Sequence, residues 1–210
     1  SEGQFNMFHL RPMQLLLMSA RDRRCFFYVF LFPAAWTSIF TLCEDVPASL
    51  FSKGARGKVP AGVQVCAMGW KFATAVCQAA HRIMLIWGHR LPCTLKQPCG
   101  EASLDESAEL RRDRPCPIRG CRHAVSAWSV YIDNLDLYEV FEETEAREKL
   151  NTTSSTMCGA ERCYNIRNSP GSPEGAFDRK LHGKSLGVFT DGELGRREVP
   201  HEAAPRLFSL

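Results

Sequence analysis

The chain has 210 residues, 45% of them apolar and 23% charged, with a formal net charge of +3. This length suits one domain or at most two small ones, and it can bury a core without disulfides or metal; the composition excludes a wholly disordered, collagen-like or coiled-coil protein. The charge is uneven: residues 1–100 carry 11 Lys/Arg against 4 Asp/Glu, a balance of +7, and residues 101–210 carry 15 against 19, a balance of −4.

Residues 25–43 are uncharged for 19 positions, just long enough for a membrane helix. Pro33 interrupts the run, and aromatic and β-branched residues dominate both sides of it. A hairpin fits better: a strand through FFYVFLF, a turn near Pro33–Trp36 and a strand through TSIFTL. Residues 45–62 read as a loop, with Gly54, Gly57, Pro60 and Gly62 and the basic Lys53, Arg56 and Lys58. Residues 71–87 read as an amphipathic helix with Phe72, Val76, Ala79, Ala80, Ile83, Met84 and Trp87 on one side, stopped by Gly88.

Residues 91–100 form a Pro/Cys loop, and Ser103–Glu106 matches a capping box opening a helix to about Arg114. Residues 126–132 predict a short buried strand, and residues 138–150 a helix with a favourable Glu145–Lys149 pair. Residues 151–175 read as loop; LGVFT at 186–190 followed by Asp191-Gly192 signals a hairpin. No internal repeat is visible, and the mixture of elements without strict alternation predicts an α+β fold.

The ten cysteines include no Cys-x-x-Cys pair and no His at finger spacing, so zinc is not expected. Several lie in apolar runs, where a free thiol behaves as a small hydrophobe; free thiols in a reducing compartment are the plainer reading, with a disulfide framework as the alternative. Arg11, Arg21, Arg23 and Arg24 surround a weak apolar patch, so no signal peptide is read and the protein is expected inside the cell, cytoplasmic or nuclear. The chain starts at Ser1 with no initiator Met, as a fragment of a longer protein would.

Two Asp residues flank apolar strand patterns: Asp22, just before the run at 25–32, and Asp133, directly after Val130, Tyr131 and Ile132. Two carboxylates held rigidly on strand rims and facing each other make a site for hard divalent cations, which phosphoryl transfer requires. Taken singly, each Asp could equally cap a strand or start a turn. Met68-Gly69-Trp70-Lys71 opens the 71–87 helix. Here Gly permits close backbone approach, the helix N-terminus favours phosphate, Lys71 adds charge and Trp70 a stacking face. The plainer reading of that segment is an ordinary loop-to-helix junction.

In order, DRRCFFYVFLFPAAW (22–36), MGWKFATAVCQAAHR (68–82), YIDN (131–134) and SLGVFTDGELG (185–195) resemble the palm of a reverse transcriptase in a retroelement polyprotein. ELRRDRPCP (109–117) and YNIRNSPGSPEGAF (164–177) also look family-like, and the resemblance covers about residues 20–207. It implies an α+β palm, an antiparallel sheet flanked by helices, over 21–195 with loop insertions at 45–62, 88–120 and 151–175. Residues 1–20 would be a remnant of fingers or linker and 196–210 a tail, with the fingers largely missing and no thumb.

The resemblance implies that Asp22 and Asp133 are the catalytic, metal-binding carboxylates, with Asn134 a weaker third ligand. Phe27 would match the aromatic gate against a ribose 2′-OH. Gly69, Trp70 and Lys71 would pack on template and incoming nucleotide, with Tyr131 near the primer end. Leu186 and Gly187 would belong to the primer grip. The cofactor would be Mg²⁺ or Mn²⁺, with no zinc and no organic cofactor. The partners would be an RNA/DNA template-primer, a dNTP and the remainder of a polyprotein, not a membrane.

Departures from the family pattern are visible. The box Tyr-x-Asp-Asp has Asn134 at its fourth position, which removes one negative charge. Asp136 lies two residues on, on the same strand face. The lysine expected in the segment at 164–177 is replaced by Gly175, with Lys180 out of register, and Met68 stands where many relatives have Gln. The expected function is RNA-directed DNA polymerisation, impaired by these changes. The alternatives are a catalytically inactive nucleic-acid-binding remnant and a membrane-anchored Cys-rich protein built around residues 25–43.

Overall fold

The structure, a computed structural model, describes residues 8–23, 25–87, 104–111, 113–118, 126–156 and 178–198. Gly88, Gly175 and the segments at 91–100 and 164–177 lie outside the described residues. The described fold is mixed α+β, with antiparallel sheets and few helices. Two units divide the chain: residues 1–24 with 80–210, and residues 25–79.

In the first unit the main sheet has three strands, β1 (Gln14–Asp22), β4 (Ser126–Tyr131) and β5 (Asn134–Glu142), with β5 between the other two. β1 runs antiparallel to β5 from Gln14 opposite Glu142 to Asp22 opposite Asn134. β4 and β5 form a hairpin in which Tyr131 faces Asn134 across the two-residue turn Ile132–Asp133. β1 forms a strand because QLLLMSARD buries apolar residues on both faces: Leu17 packs with Phe141 and Ala146, while Leu16 and Met18 pack with Phe8, Tyr138 and Val140. No polar alternation marks such a strand, which is why the sequence showed there only a weak apolar patch.

A helix forms where the sequence placed one, α1 (Ala73–Trp87), but its buried face is the line of Ala73, Cys77, His81 and Leu85. Phe72, Val76, Ile83 and Trp87 of the expected apolar side are exposed; cross-element packing, not the apolar stripe, chose the face. The helix runs across the boundary between the units. Its second half places Leu85 and Ile86 against Trp128, Leu135 and Leu137. Burying each such side chain contributes about 1.5–3 kcal/mol. The Trp128 indole N–H would be costly if left unpaired; it donates to the Asp105 carbonyl at 2.8 Å.

Two expected helices differ. Residues 138–142 continue β5, and only α2 (Glu143–Lys149) is helical. Leu135, Tyr138 and Phe141 fall at helical spacing, but the flat β1 surface offers pairing for a strand and buries Tyr138 and Val140 on one side and Leu137 and Phe141 on the other. The expected helix to Arg114 is a single 3-10 turn, Glu106–Ala108, whose cap is Asp105, accepting from Ser107 N–H at 2.8 Å. It stops because Glu109 turns extended and bridges Trp128 in parallel, with Pro115 and Pro117 close behind.

A second sheet, β6 (His182–Ser185), β7 (Val188–Asp191) and β8 (Arg196–Glu198), is an antiparallel meander. Leu186-Gly187 makes the β6–β7 turn, and the hairpin signalled at Asp191-Gly192 is the β7–β8 hairpin, with a longer turn at 192–195. The meander docks on β1 through Met18 N–H to Lys180 O (2.8 Å), Lys180 N–H to Met18 O (2.9 Å) and Leu16 N–H to Gly192 O (2.9 Å).

In the second unit, residues 25–43 do not pair with themselves. They form two 3-10 turns, Phe26–Val29 and Ala34–Ser38, and bond across to residues 61–66: Phe32 N–H to Gln64 O, Cys66 N–H to Phe30 O and Val63 N–H to Phe40 O. The expected hairpin fails because Pro33 has no N–H to donate and opens a tight turn, so neither flanking segment can ladder against the other. Among the described residues no helix is long and apolar enough to cross a membrane. A two-residue ladder, β2 (Val46–Pro47) with β3 (Lys58–Val59), interrupts the expected 45–62 loop. Buried Cys66 and Cys77 face each other with Sγ atoms 3.7 Å apart, with no disulfide between them.

Candidate active site

Asp22 is the last residue of β1, and Asp133 is the second residue of the β4–β5 turn. The register that sets Asp22 opposite Asn134 therefore brings two carboxylates, far apart in sequence, to one end of the main sheet. Burial raises the Asp133 pKa above the ordinary carboxylate range, and the charge and hydrogen-bonding reach of Asp22 raise it further. That contribution puts the Asp22 carboxylate within electrostatic reach of Asp133. Asp22 closes β1 rather than preceding a strand at 25–32, so its rigidity comes from the β1–β5 ladder.

Asn134 turns its amide toward the pair: Nδ2 donates to Asp133 Oδ1 at 3.2 Å. This bond steadies the carboxylate but does not add an anionic ligand. Among the described residues no cluster of three or more His, Cys, Asp or Glu is placed to hold a metal. The donor set nevertheless fits Mg²⁺, which keeps several waters and takes one or two protein carboxylates together with substrate phosphates. Tyr131 is exposed beside Asn134. Asp136 shares that face of β5 but is buried, and its Oδ1 accepts from Ser185 Oγ at 2.6 Å. Burial raises its pKa against the lowering effect of that bond. Asp136 is thus occupied in joining the two sheets.

Leu186 and Gly187 follow Ser185 directly, in a turn with φ of +50° and +79°. Ser185 is bonded two residues along β5 from Asn134, so the turn lies toward the carboxylate end of the sheet. A cavity of about 300 Å³ lies beside β1, lined by Met18, Ala20, Asp178, Lys180, His182 and Lys184. Met18 and Ala20 lie on the β1 face that also carries Asp22.

The other candidates belong to the second unit. Phe27 is half-buried in the first 3-10 turn. Gly69 has φ +93°, with open space where a Cβ would stand. Trp70 is the hub of an aromatic cluster, meeting Phe32, Phe40 and Phe72 edge-on at 5.4–5.7 Å. Lys71 is exposed and lies 5.5 Å from the Phe72 ring. Trp70 therefore packs within its own unit, and the face it leaves for stacking is partial.

Sequence reasoning missed Ser185, whose role depends on a contact across two sheets, and His81, a fully buried residue of α1 beside the β4–β5 turn. No sequence signal marked His81, which lies in line with Ala73, Cys77 and Leu85 and not among the residues read as the apolar side of the helix. No protein-family model matches the chain, and neither a curated protein nor a solved structure does.

Proposed function

We propose that this chain carries the palm of an RNA-directed DNA polymerase, adding a nucleotide to a primer 3′-hydroxyl with Asp22 and Asp133 as its paired carboxylates. The observation that carries this reading is the β1–β5 register, which sets the two Asp residues together on rigid strand ends. The ordered segments from 22 to 195 support it, as does the basic cavity by β1 with Lys180 and Lys184, whose charge suits a phosphate backbone. A Mg²⁺ or Mn²⁺ pair, when bound, supplies the positive charge that neutralises the triphosphate.

The chain's own residues would orient and hold. Asp22 and Asp133 present anionic oxygens at fixed positions, so little reorganisation is needed when substrate arrives. Asn134 restrains Asp133 through its amide. Tyr131 offers an exposed aromatic face next to the primer end, and the Leu186–Gly187 turn approaches the primer strand. Phe27, Gly69, Trp70 and Lys71 would contact nucleotide and template. An intracellular setting accompanies this reading.

A second reading has its own observation. Asn134 gives the site a neutral amide instead of a third carboxylate, which favours a nucleic-acid-binding remnant without catalysis. Primer extension on an RNA template with Mg²⁺ separates the two. The polymerase reading expects extension by the natural chain and none by Asp22→Asn. Extension by Asn134→Asp alone gives the second reading, and extension by none of the three, with salt-sensitive RNA binding retained, does the same. Loss of both extension and nucleic-acid binding in folded protein defeats both.

A further inference from the structure

His81 is fully buried, in the half of α1 that packs on the main sheet. Its Nδ1 lies 2.7 Å from the carbonyl oxygen of Ile132. A carbonyl oxygen only accepts, so Nδ1 carries the proton in this bond. Burial drives the His81 pKa down to about 4, with the nearby Arg23 charge acting in the same direction, so the ring is neutral near pH 7.

Ile132 is the first residue of the β4–β5 turn and has φ of +54°. A β-branched residue in this region is strained by about 1–3 kcal/mol and stays there only where its surroundings hold it. Here the carbonyls of both turn residues are held. His81 Nδ1–H takes Ile132 O, and the Arg23 backbone N–H takes Asp133 O at 3.0 Å. The first comes from a helix and the second from the residue after Asp22, so the turn is gripped between the two elements that flank it.

We propose that His81 is a positioning residue, whose Nδ1–H bond to Ile132 O holds the strained turn so that it presents the Asp133 carboxylate to Asp22. Its consequence for metal binding rests on reading those two residues as a cation site. His81 itself touches neither substrate nor metal.

Two variants test this on the whole chain. His81→Leu keeps an apolar side chain in the buried site but has no donor; His81→Asn restores an N–H close to the Nδ1 position. Amide hydrogen exchange on the metal-free protein, read at Arg23 and across 132–134, should be about tenfold faster in His81→Leu and near the natural rate in His81→Asn. Mn²⁺ binding, followed by electron paramagnetic resonance, should weaken by about 10–100-fold in His81→Leu and be restored by His81→Asn. Unchanged exchange in folded His81→Leu overturns the proposal, as does His81→Asn behaving like His81→Leu. If His81→Leu does not fold, His81→Asn decides: natural exchange supports the proposal and about tenfold faster exchange overturns it. Faster exchange in His81→Leu, with Mn²⁺ binding equally absent from the natural chain and Asp22→Asn, supports the positioning role and defeats the cation-site reading instead.

Discussion

Ser185 donates its hydroxyl hydrogen to Asp136 at 2.6 Å, and both groups are buried. This bond joins β6 of the meander to β5 of the main sheet. Tyr138 OH reaches the other Asp136 oxygen at 3.4 Å, and the Arg197 guanidinium lies over the Tyr138 ring at 5.3 Å. Ser185→Ala should leave the buried carboxylate short of its nearest donor and cost about 1–3 kcal/mol. Urea unfolding measures this; a midpoint equal to that of the natural chain would show that the bond contributes nothing.

Gly192 is where the meander meets β1. A Cβ there would run into the carbonyl oxygens of Leu16 and Leu181, while Gly187 has open space around it and only a positive φ. Backbone cannot retreat as a flexible side chain can, so Gly192→Ala should lower the melting temperature clearly more than Gly187→Ala. The latter should cost only about 1 kcal/mol, from turn strain. The reverse ranking in thermal unfolding would contradict the docking of the meander on β1 at Gly192.

Arg179 meets Glu139 through two hydrogen bonds, Nε to Oε2 at 2.7 Å and Nη2 to Oε1 at 3.0 Å, and both side chains are largely buried. It also lies 5.6 Å from the Phe141 ring and donates to Thr152. Removing one partner strands a charge, so Arg179→Met or Glu139→Gln alone should cost about 3–5 kcal/mol. The double variant Arg179→Met with Glu139→Leu should cost less than the sum of its singles. A double-mutant cycle by chemical denaturation reads the coupling, and strict additivity would mean the pair is not coupled.

Asp133 carries a raised pKa from burial and from Asp22. Asp22→Asn removes the second contribution, so the Asp133 pKa should fall. Carboxyl ¹³C titration of the metal-free protein measures it. The sign for stability follows: a carboxyl whose pKa is raised on folding favours the folded state at low pH, and that contribution is lost as pH rises through the folded value. Asp22→Asn should narrow this window. An Asp133 titration unaltered by the substitution would mean the two carboxylates do not interact.

Several features were legible locally. The helical spacing at 71–87 placed α1, but not its buried face, which is the line of Ala73, Cys77, His81 and Leu85 rather than the stripe of larger apolar residues. The β4 strand followed from a short β-branched and aromatic run, although Ile132, expected inside it, is the first turn residue. Asp22 and Asp133 stood out as carboxylates beside apolar runs. What local pattern misread was context-dependent. Leu135, Tyr138 and Phe141 satisfy a helical period as well as a strand buried on both faces, and only the partner strand chooses. The aromatic run at 25–43 found its backbone partners at 61–66 rather than in itself.

By itself the sequence determined that a helix lies at 73–87 and a strand at 126–131, and it singled out Asp22 and Asp133 as candidate site residues. Tertiary structure alone decided that Asp22 lies opposite Asn134, that Asp136 is spent on Ser185, and that His81 grips the Ile132 carbonyl. Those are pairings between segments far apart in the chain. They are set by the register that buries Leu16, Leu17, Leu137 and Tyr138 together, and no local window of residues contains both sides of that bargain.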